Sequence, residues 1–232
     1  QTCALPILEA LQLVRSHVPD IIVSDVMMPR MNGYELCKTI KEDIAISHIP
    51  VILLTAKDDK QSLISGYKNG ADGYLSKPFE VEMLMELIRN RLKNREYTKK
   101  RYLNAGLIPT PEESTISLTD ETFLIKLNSI IQENIDNTNL GIQFICQEVG
   151  LGRSSLYNKL KALTGMGANE YISKLRIEKA ITLISGTDMP FSEIAEKTGF
   201  TTPSYFSTTF KQYTGETPSQ YKERKKKGLT DQ

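Results

Sequence analysis

The stretch Ile21-Ile-Val-Ser-Asp25 is the first of three short apolar runs that decide the fold of the amino-terminal half. The second is Val51-Ile-Leu-Leu54, which is followed by Thr55, and the third is Tyr74-Leu-Ser-Lys77. Runs of this length are typical of buried strands, and segments with helical periodicity alternate with them. This alternation predicts a parallel sheet covered by helices on both faces. The helical segments are residues 8–15, 33–43, 61–69 and 80–95.

Each of the three runs ends on a polar residue, namely Asp25, Thr55 and Lys77. Because the carboxyl ends of parallel strands meet at one edge of a sheet, these three side chains are expected to lie close together. Ligand sites in open α/β sheets lie at this edge. The pattern therefore predicts a functional site formed by a carboxylate, a hydroxyl group and an ammonium group.

The motifs around these residues resemble the three signatures of two-component receiver domains. They are Ser24-Asp-Val-Met-Met-Pro29, Leu54-Thr-Ala56 and Lys77-Pro-Phe79, in the order and spacing of that family. The resemblance implies a doubly wound parallel sheet.

The same resemblance implies a role for each residue at the sheet edge. Asp25 would accept a phosphoryl group from a histidine kinase, Thr55 would donate to the phosphoryl oxygens, and Lys77 would neutralise one of them. Tyr74 matches the switch aromatic of the family. A phosphoryl group adds about −1.5 to −2 charges and three acceptor oxygens, so it can draw the hydroxyl and ammonium groups toward it.

Intact receivers also hold Mg²⁺, with the phosphoacceptor and a pair of acids at the end of their first strand. This chain contains Asp25 but no equivalent of that strand, so we expect a receiver remnant in which Mg²⁺ binds poorly and phosphotransfer is impaired. The family's strand order is 2-1-3-4-5. Loss of strand 1 is therefore expected to leave one edge of the strand at residues 21–25 unpaired, which is an aggregation liability.

The carboxyl-terminal half is nearly all helical in pattern and contains an internal repeat. Ser154, Lys161 and Thr164 recur 50 positions later as Ser204, Lys211 and Thr214, and apolar positions recur with them. Two similar helical units imply two similar tasks.

Each unit has the pattern of a helix-turn-helix motif. Gly150-Leu-Gly152 forms the turn in the first unit, and Gly199 forms it in the second. Projection at about 100° per residue places Leu156, Leu160 and Leu163 inward on the first trailing helix and Phe206, Phe210 and Tyr213 inward on the second. We expect Ser154 or Ser155 to cap the first of these helices, and Thr202 to cap the second with Pro203 at its first position.

The outward faces carry small polar residues with one lysine each, which suits a DNA major groove. Asparagine can pair with adenine through two hydrogen bonds, serine and threonine can serve several base edges, and lysine can reach a phosphate. The alternative interpretation is a plain solvated surface. The residues predicted to bind DNA are Arg153, Ser154, Tyr157, Asn158, Lys161, Thr202, Ser204, Thr208 and Lys211.

The second half also resembles the AraC-type transcription-factor domain. The strongest signatures are Ile194-Ala-Glu-Lys-Thr-Gly-Phe200 and Thr214-Gly-Glu-Thr-Pro-Ser-Gln-Tyr221, and Arg153-Ser-Ser-Leu-Tyr157 matches in the first unit. The resemblance implies two recognition helices that enter successive major grooves of double-stranded DNA, about 34 Å apart. The expected fold is therefore an α/β receiver remnant plus an all-α domain with two helix-turn-helix units.

We expect four segments along the chain. Residues 1–7 match the translation of a sequencing-library adapter and are treated as non-native. Residues 8–95 form the truncated receiver, residues 96–119 a linker containing Pro109 and Pro111, and residues 120–232 the AraC-type domain. At the start of the last segment, Thr119-Asp-Glu121 offers a helix cap and acidic first-turn residues.

Composition restricts the remaining function classes. The net charge is +1, so DNA binding has to depend on local faces rather than on bulk charge. No apolar run approaches the roughly 20 residues that span a bilayer. Three scattered cysteines argue against a disulfide framework or a zinc site, and indicate a reducing compartment, so we expect a cytoplasmic protein. No constellation typical of a free-standing enzyme is present.

The resulting hypothesis is the carboxyl-terminal part of a two-component transcription regulator. The order of receiver, linker and AraC-type domain also resembles the end of hybrid sensor kinases. The partners would be DNA, a separate or formerly fused histidine kinase, and a second copy in an active homodimer. The alternative is a phosphorelay or protein-interaction module whose helical domain does not bind DNA.

Overall fold

A computed structural model describes residues 7–28, 31–56, 70–105 and 117–230. The chain divides into two compact units. The first contains the described residues up to Leu124 together with Ser154–Gly165, and the second contains Ile125–Arg153 and the described residues from Met166 onward. No helix among the described residues is both long enough and apolar enough to cross a membrane.

The first unit contains a three-stranded parallel sheet, as the sequence predicts. Its strands are β1 (Ile22–Asp25), β4 (Val51–Ala56) and β5 (Gly73–Lys77), in the order β1-β4-β5. A short antiparallel ladder that the sequence pattern does not predict, β2 (Met27–Met28) with β3 (Met31–Asn32), follows β1.

Helices α1 (Ile7–His17), α2 (Gly33–Glu42) and α3 (Val81–Ala105) accompany the sheet. Apolar side chains of α1 and α2 form a core with the strands. Helix α3 runs beyond residue 95, where we expected the receiver to end and the linker to begin. The predicted helix at residues 61–69, the linker prolines and residues 1–6 lie outside the described residues. The core includes Leu36, Cys37, Ile40, Ile46, Ile49, Val51 and Leu53.

Helix α6 (Arg153–Thr164) belongs to the first unit from Ser154 onward, as does the start of helix α4 (Leu118–Glu133). Ser117 caps α4, because its hydroxyl accepts from the backbone N–H of Asp120 at 3.2 Å. The predicted cap at Thr119 is therefore wrong, whereas the acidic first turn is confirmed.

The second unit contains α5 (Ile142–Val149), α7 (Ala168–Gly186), α8 (Phe191–Lys197), α9 (Pro203–Thr214) and α10 (Pro218–Thr230). Its core contains a series of aromatic contacts: Phe206 lies 5.3 Å from Phe200 and 5.7 Å from Phe210, and Phe210 lies 5.6 Å from Tyr221, between ring centroids. Such pairs add about 0.5–1.5 kcal/mol each beyond the area they bury.

The turn of the second helix-turn-helix depends on Gly199. Its φ is +71°, and an added Cβ would lie 2.3 Å from the carbonyl oxygen of Ile135 and 2.7 Å from the guanidinium of Arg176. That guanidinium donates to the carbonyl oxygens of Ile135 and Asn137, so it cannot move aside without losing both bonds. Only glycine fits this position.

Candidate functional site

Asp25 ends β1 at the carboxyl edge of the sheet, as predicted. The backbone N–H of Met27 donates to Asp25 Oδ1 at 3.1 Å, and Lys77 Nζ donates to Asp25 Oδ2. Desolvation raises the pKa of Asp25, but the bonds from Lys77, Met27 and Val26 outweigh it and leave that pKa below its usual value. Asp25 is therefore a carboxylate, the form that can attack an electrophilic phosphorus atom.

The backbone around Asp25 fits closely because of a glycine. Gly33 donates its N–H to the carbonyl oxygen of Val26 at 2.9 Å, and an added Cβ at Gly33 would lie 2.2 Å from the carbonyl oxygen of Asp25. Asn32 caps the following helix, because its side chain accepts from Tyr34 N–H at 3.0 Å. These contacts connect the residues directly after the carboxylate to the start of α2.

The sheet register brings the predicted residues to one edge. Asp25 is aligned with Leu54, and Ala56 is aligned with Lys77, so Thr55 lies between the strands that carry the other two. Thr55 is buried, and its hydroxyl donates to the carbonyl oxygen of Ala56 at 3.4 Å. Tyr74 is half-buried against the core of the first unit, three residues before Lys77.

The described residues do not form a Mg²⁺ site at this edge. Mg²⁺ prefers octahedral oxygen coordination. Asp25 is one carboxylate, and its two oxygens already accept from Met27 and Lys77. No group of three or more His, Cys, Asp and Glu side chains that could hold a metal occurs within the described ranges.

Helix α6 has the predicted separation of faces. Leu156, Leu160 and Leu163 are buried. The helix begins at Arg153, so Ser154 and Ser155 lie in its first turn rather than capping it, and that expectation is wrong. Of the predicted DNA-binding residues, Asn158 is half-buried, and Arg153, Ser154, Tyr157 and Lys161 are exposed.

Helix α9 repeats this separation in the second unit. Thr202 caps it by accepting from Tyr205 N–H at 3.2 Å, and Pro203 occupies its first turn, as predicted. Phe206 and Phe210 are fully buried, but Tyr213 is 37% exposed and donates to the carbonyl oxygen of Glu170, so its inward assignment is wrong. The predicted DNA-binding residues Thr202, Ser204, Thr208 and Lys211 are all exposed.

Comparisons with known proteins agree with this arrangement. Residues 4–89 match the response regulator receiver domain, and residues 145–224 match a helix-turn-helix domain. A probable transcriptional regulator, ycf29 of Pyropia yezoensis, is 32% identical over 174 residues, which cover 70% of this chain and 78% of that protein. This chain is a two-component response regulator. Its helix-turn-helix domain is of the AraC type.

Two further similarities are partial. Histidine kinase P4 of Formosa agariphila is 43% identical over 215 residues, which cover 93% of this response regulator but only 16% of that kinase. The chain therefore spans about one sixth of the length of this relative. The solved carboxyl-terminal domain of AraT, a response regulator from Geobacillus stearothermophilus, is 29% identical, with a TM-score of 0.42, over 44% of this chain and 84% of that one.

A buried charged cluster in the first unit of this response regulator was not predicted. Lys159 is fully buried; its Nζ pairs with Asp120 Oδ1 and donates to Ser47 Oγ at 2.7 Å. Ser47 Oγ donates in turn to Asp120 Oδ1 at 2.7 Å, and Ser117 Oγ donates to Asp120 Oδ2 at 2.8 Å. We call Lys159, Asp120 and Ser47 the Lys159 cluster.

The electrostatics of the Lys159 cluster follow from its burial. Desolvation lowers the pKa of Lys159, opposed by the charge of Asp120. Desolvation raises the pKa of Asp120, but the charge and hydrogen bond of Lys159 outweigh it and leave that pKa low. The helical projection contained one indication of this cluster, because Lys159 lies about 60° from Leu156, on the inward side of α6. An inward lysine requires a buried partner, but nothing in the sequence identified Asp120 or Ser47.

Proposed function

We propose that the chain is a phosphorylation-controlled, sequence-specific DNA-binding transcription regulator. The observation that carries this proposal is the repeated surface on α6 and α9. At equivalent positions both helices present a small polar residue that can reach a base edge, Asn158 or Thr208, and an exposed lysine, Lys161 or Lys211. Base-edge contacts would specify sequence, and lysine–phosphate contacts would position the helices.

Control by phosphorylation is supported by the sheet edge. Asp25 is ionised and partly exposed, and Lys77 already neutralises one of its oxygens. In the proposed reaction a carboxylate oxygen of Asp25 forms a bond to phosphorus while the bond from phosphorus to the donor's leaving group breaks. Thr55 is the hydroxyl expected to donate to the transferred group, and Tyr74 the side chain expected to change position with it.

The phosphodonor and the assembly are also proposals. The identity with a histidine kinase over most of this chain supports an origin as the carboxyl-terminal part of a hybrid kinase. In that arrangement the kinase phosphorylates the receiver, and paired receivers bring two AraC-type domains to repeated DNA sites. Because the proposed target is genomic DNA, the proposed place of action is the cytoplasm, and the role is regulatory rather than enzymatic.

Alanine substitutions test DNA readout in the full chain. The two probes are a duplex enriched from a random library and a duplex of random sequence. Asn158→Ala and Thr208→Ala should each reduce the preference for the enriched duplex by about 1–3 kcal/mol, because a base-edge contact is lost. Lys161→Ala and Lys211→Ala should instead weaken binding to both duplexes and flatten its salt dependence.

The four variants serve as controls for one another, because they form matched pairs at equivalent positions of α6 and α9. Equal losses on both duplexes from all four would contradict the assignment of reading and positioning residues. Absence of DNA binding by the folded chain at low salt would favour the alternative, a protein-interaction module.

Phosphorylation is tested by mass spectrometry after incubation with a small-molecule phosphodonor and Mg²⁺. We expect a low level of modification located at Asp25, because the described residues include no group of three or more potential metal ligands that could hold Mg²⁺ with it. Asp25→Asn should remove the modification, and Asp20→Asn, which neutralises an exposed acid before the start of β1, should keep it. Equal modification of the chain and of Asp25→Asn would exclude Asp25 as the acceptor.

A further inference from the structure

A small cavity in the first unit is lined by the loop after α2 and by helix α3. Its volume is about 90 Å³. A water molecule needs roughly 10–15 Å³, whereas clefts that hold drug-sized ligands measure about 300–1,000 Å³. The cavity therefore has room for a small polyatomic ion and is too small for a nucleotide. The ionisable residues that line it are Lys41, His48, Asp72, Arg91, Arg95 and Asp120.

Two side chains of this cavity have buried nitrogen atoms that lack a hydrogen-bond partner among the described residues. These atoms are both ring nitrogens of His48, which is only 7% exposed, and Nε of Arg91. A buried polar group without a partner destabilises a fold, and such groups in native structures are usually satisfied by water, an ion or a ligand. A molecule that bonds to both His48 and Arg91 would remove this deficit.

The acids of the cavity do not supply the missing partner, because both are already engaged. Asp72 Oδ2 accepts from Lys41 Nζ at 2.7 Å and from a backbone N–H at the same distance. Asp120 belongs to the Lys159 cluster and accepts from two serine hydroxyls as well. The cavity is therefore short of an acceptor for hydrogen bonds rather than of a donor.

The charge around His48 is positive on balance. Lys41, Lys159 and Arg95 each pair with one acid, whereas Arg91 pairs with none within the described ranges. Burial lowers the pKa of His48, and the three paired cations lower it further, against the charge of one acid. His48 is therefore neutral, and the charge of Arg91 has no counter-charge. An anion in the cavity would supply both the acceptor and the counter-charge.

We propose that this cavity binds a small oxyanion of the phosphate type through the guanidinium of Arg91 and the ring of His48. Phosphate oxygens accept hydrogen bonds from guanidinium and imidazole N–H groups, and bonds of this kind are strengthened by charge. Hydrogen phosphate also has a hydroxyl group that can donate to the second ring nitrogen of a neutral histidine.

The proposed site is separate from the sheet edge that carries the phosphoacceptor. None of Asp25, Thr55 and Lys77 lines the cavity. Binding here would be reversible and non-covalent, and it does not depend on the proposed DNA-binding function.

Calorimetric titration of the full chain with inorganic phosphate, against chloride at constant ionic strength, tests the proposal. We expect one phosphate per chain, with a dissociation constant of about 1 mM or tighter. Arg91→Gln should weaken binding about tenfold, because a charge-assisted bond is lost. Lys93→Gln neutralises an exposed cation on the same helix and should stay within about twofold of the unchanged chain. Full affinity in Arg91→Gln would overturn the inference, as would the absence of saturable binding up to about 10 mM phosphate.

Nuclear magnetic resonance locates the bound ion. The chain has two histidines, so the ring signals of His48 are assigned with one variant, His17→Gln. These signals should move as phosphate is added and should reach a limit at the same concentration as the calorimetric titration. Phosphate that binds elsewhere, for example to the exposed lysines of α6 and α9, would leave the His48 signals in place, and that result would overturn the inference.

Thermal unfolding separates a ligand site from a purely structural role of His48. His48→Leu removes the unpartnered nitrogens, so it should fold in chloride with its Tm retained. Phosphate stabilises many proteins by exclusion from their surface. Beyond that general effect, it should raise the Tm of the unchanged chain and of Lys93→Gln, but not of His48→Leu or Arg91→Gln. An equal rise in the unchanged chain and in Arg91→Gln would overturn the inference, whether or not His48→Leu folds.

Discussion

Helices α6 and α9 carry equivalent residues fifty positions apart, yet the position that holds Lys159 in one holds Thr209 in the other. Helix α9 packs through Phe206 and Phe210 into a cluster of apolar and aromatic side chains whose described members all belong to the second unit. Helix α6 buries leucines and adds a charged cluster whose third member, Ser47, belongs to the receiver. Apolar packing is non-directional, whereas a buried ion pair requires specific partners. The comparison indicates that the packing of α6 depends on specific charged partners, whereas the packing of α9 depends on apolar contacts.

The largest effect is expected when one member of the Lys159–Asp120 ion pair is neutralised, because this pair distinguishes α6 from α9. Asp120→Asn leaves the ammonium group of Lys159 buried without its counter-charge, and the free energy of unfolding should fall by about 3 kcal/mol. Urea titration measures this change. Glu148→Gln neutralises an exposed acid on α5 and should stay within about 0.5 kcal/mol of the unchanged chain.

A double variant sharpens the same test. Asp120→Leu with Lys159→Met replaces the pair by apolar residues, as in the packing of α9, and should recover stability to within about 1 kcal/mol of the unchanged chain. If Asp120→Asn were as stable as Glu148→Gln, the cluster would not hold α6.

A smaller effect is expected on the pH dependence of stability. Both histidines of the chain lie in the first unit. Burial lowers the pKa of His48 from its usual 6.5 to about 3, with contributions in the same direction from Lys159, Arg95 and Lys41 and against it from Asp120. Neither ring nitrogen has a hydrogen-bond partner in the part of the chain that the structure describes. His48 is therefore neutral in the folded state, whereas the unfolded chain takes up a proton below pH 6.5.

Stability should consequently fall as the pH is lowered from about 6.5 to about 4.5, by about 1 kcal/mol per pH unit. Asp120, whose pKa is low, keeps its contribution in this window and loses it only in stronger acid. Urea titrations at pH 6.5 and 4.5 measure the change. His48→Gln should remove most of this dependence, and His17→Gln, at an exposed position, should retain it. A pH dependence of stability that persists in His48→Gln would contradict its assignment to His48.

The parts of this protein that could be predicted from sequence are those with local signals. Apolar runs ending at Asp25, Thr55 and Lys77 predicted a parallel sheet with one polar edge, and the inward stripe of Leu156 and Leu160 predicted the buried face of α6. These features depend on periodicity within one element, which the sequence displays directly.

The Lys159 cluster could not be predicted in the same way. Its members are separated by 39 and 73 positions, and only the tertiary fold brings them together. The prediction that Tyr213 points inward was wrong for a related reason. Its hydroxyl donates to the carbonyl oxygen of Glu170, 43 positions away, and the side chain therefore stays near the surface. An amphipathic tyrosine can be assigned to a face only when the partner of its hydroxyl is known.

Selection of DNA from a random duplex library tests the central claim, which is sequence-specific binding through both helices. The full chain would be used, at two salt concentrations. The account predicts an enriched motif with two half-sites about one helical turn apart, and binding that weakens steeply as salt rises. Failure of the chain to enrich any sequence, with folding shown by circular dichroism, would contradict it.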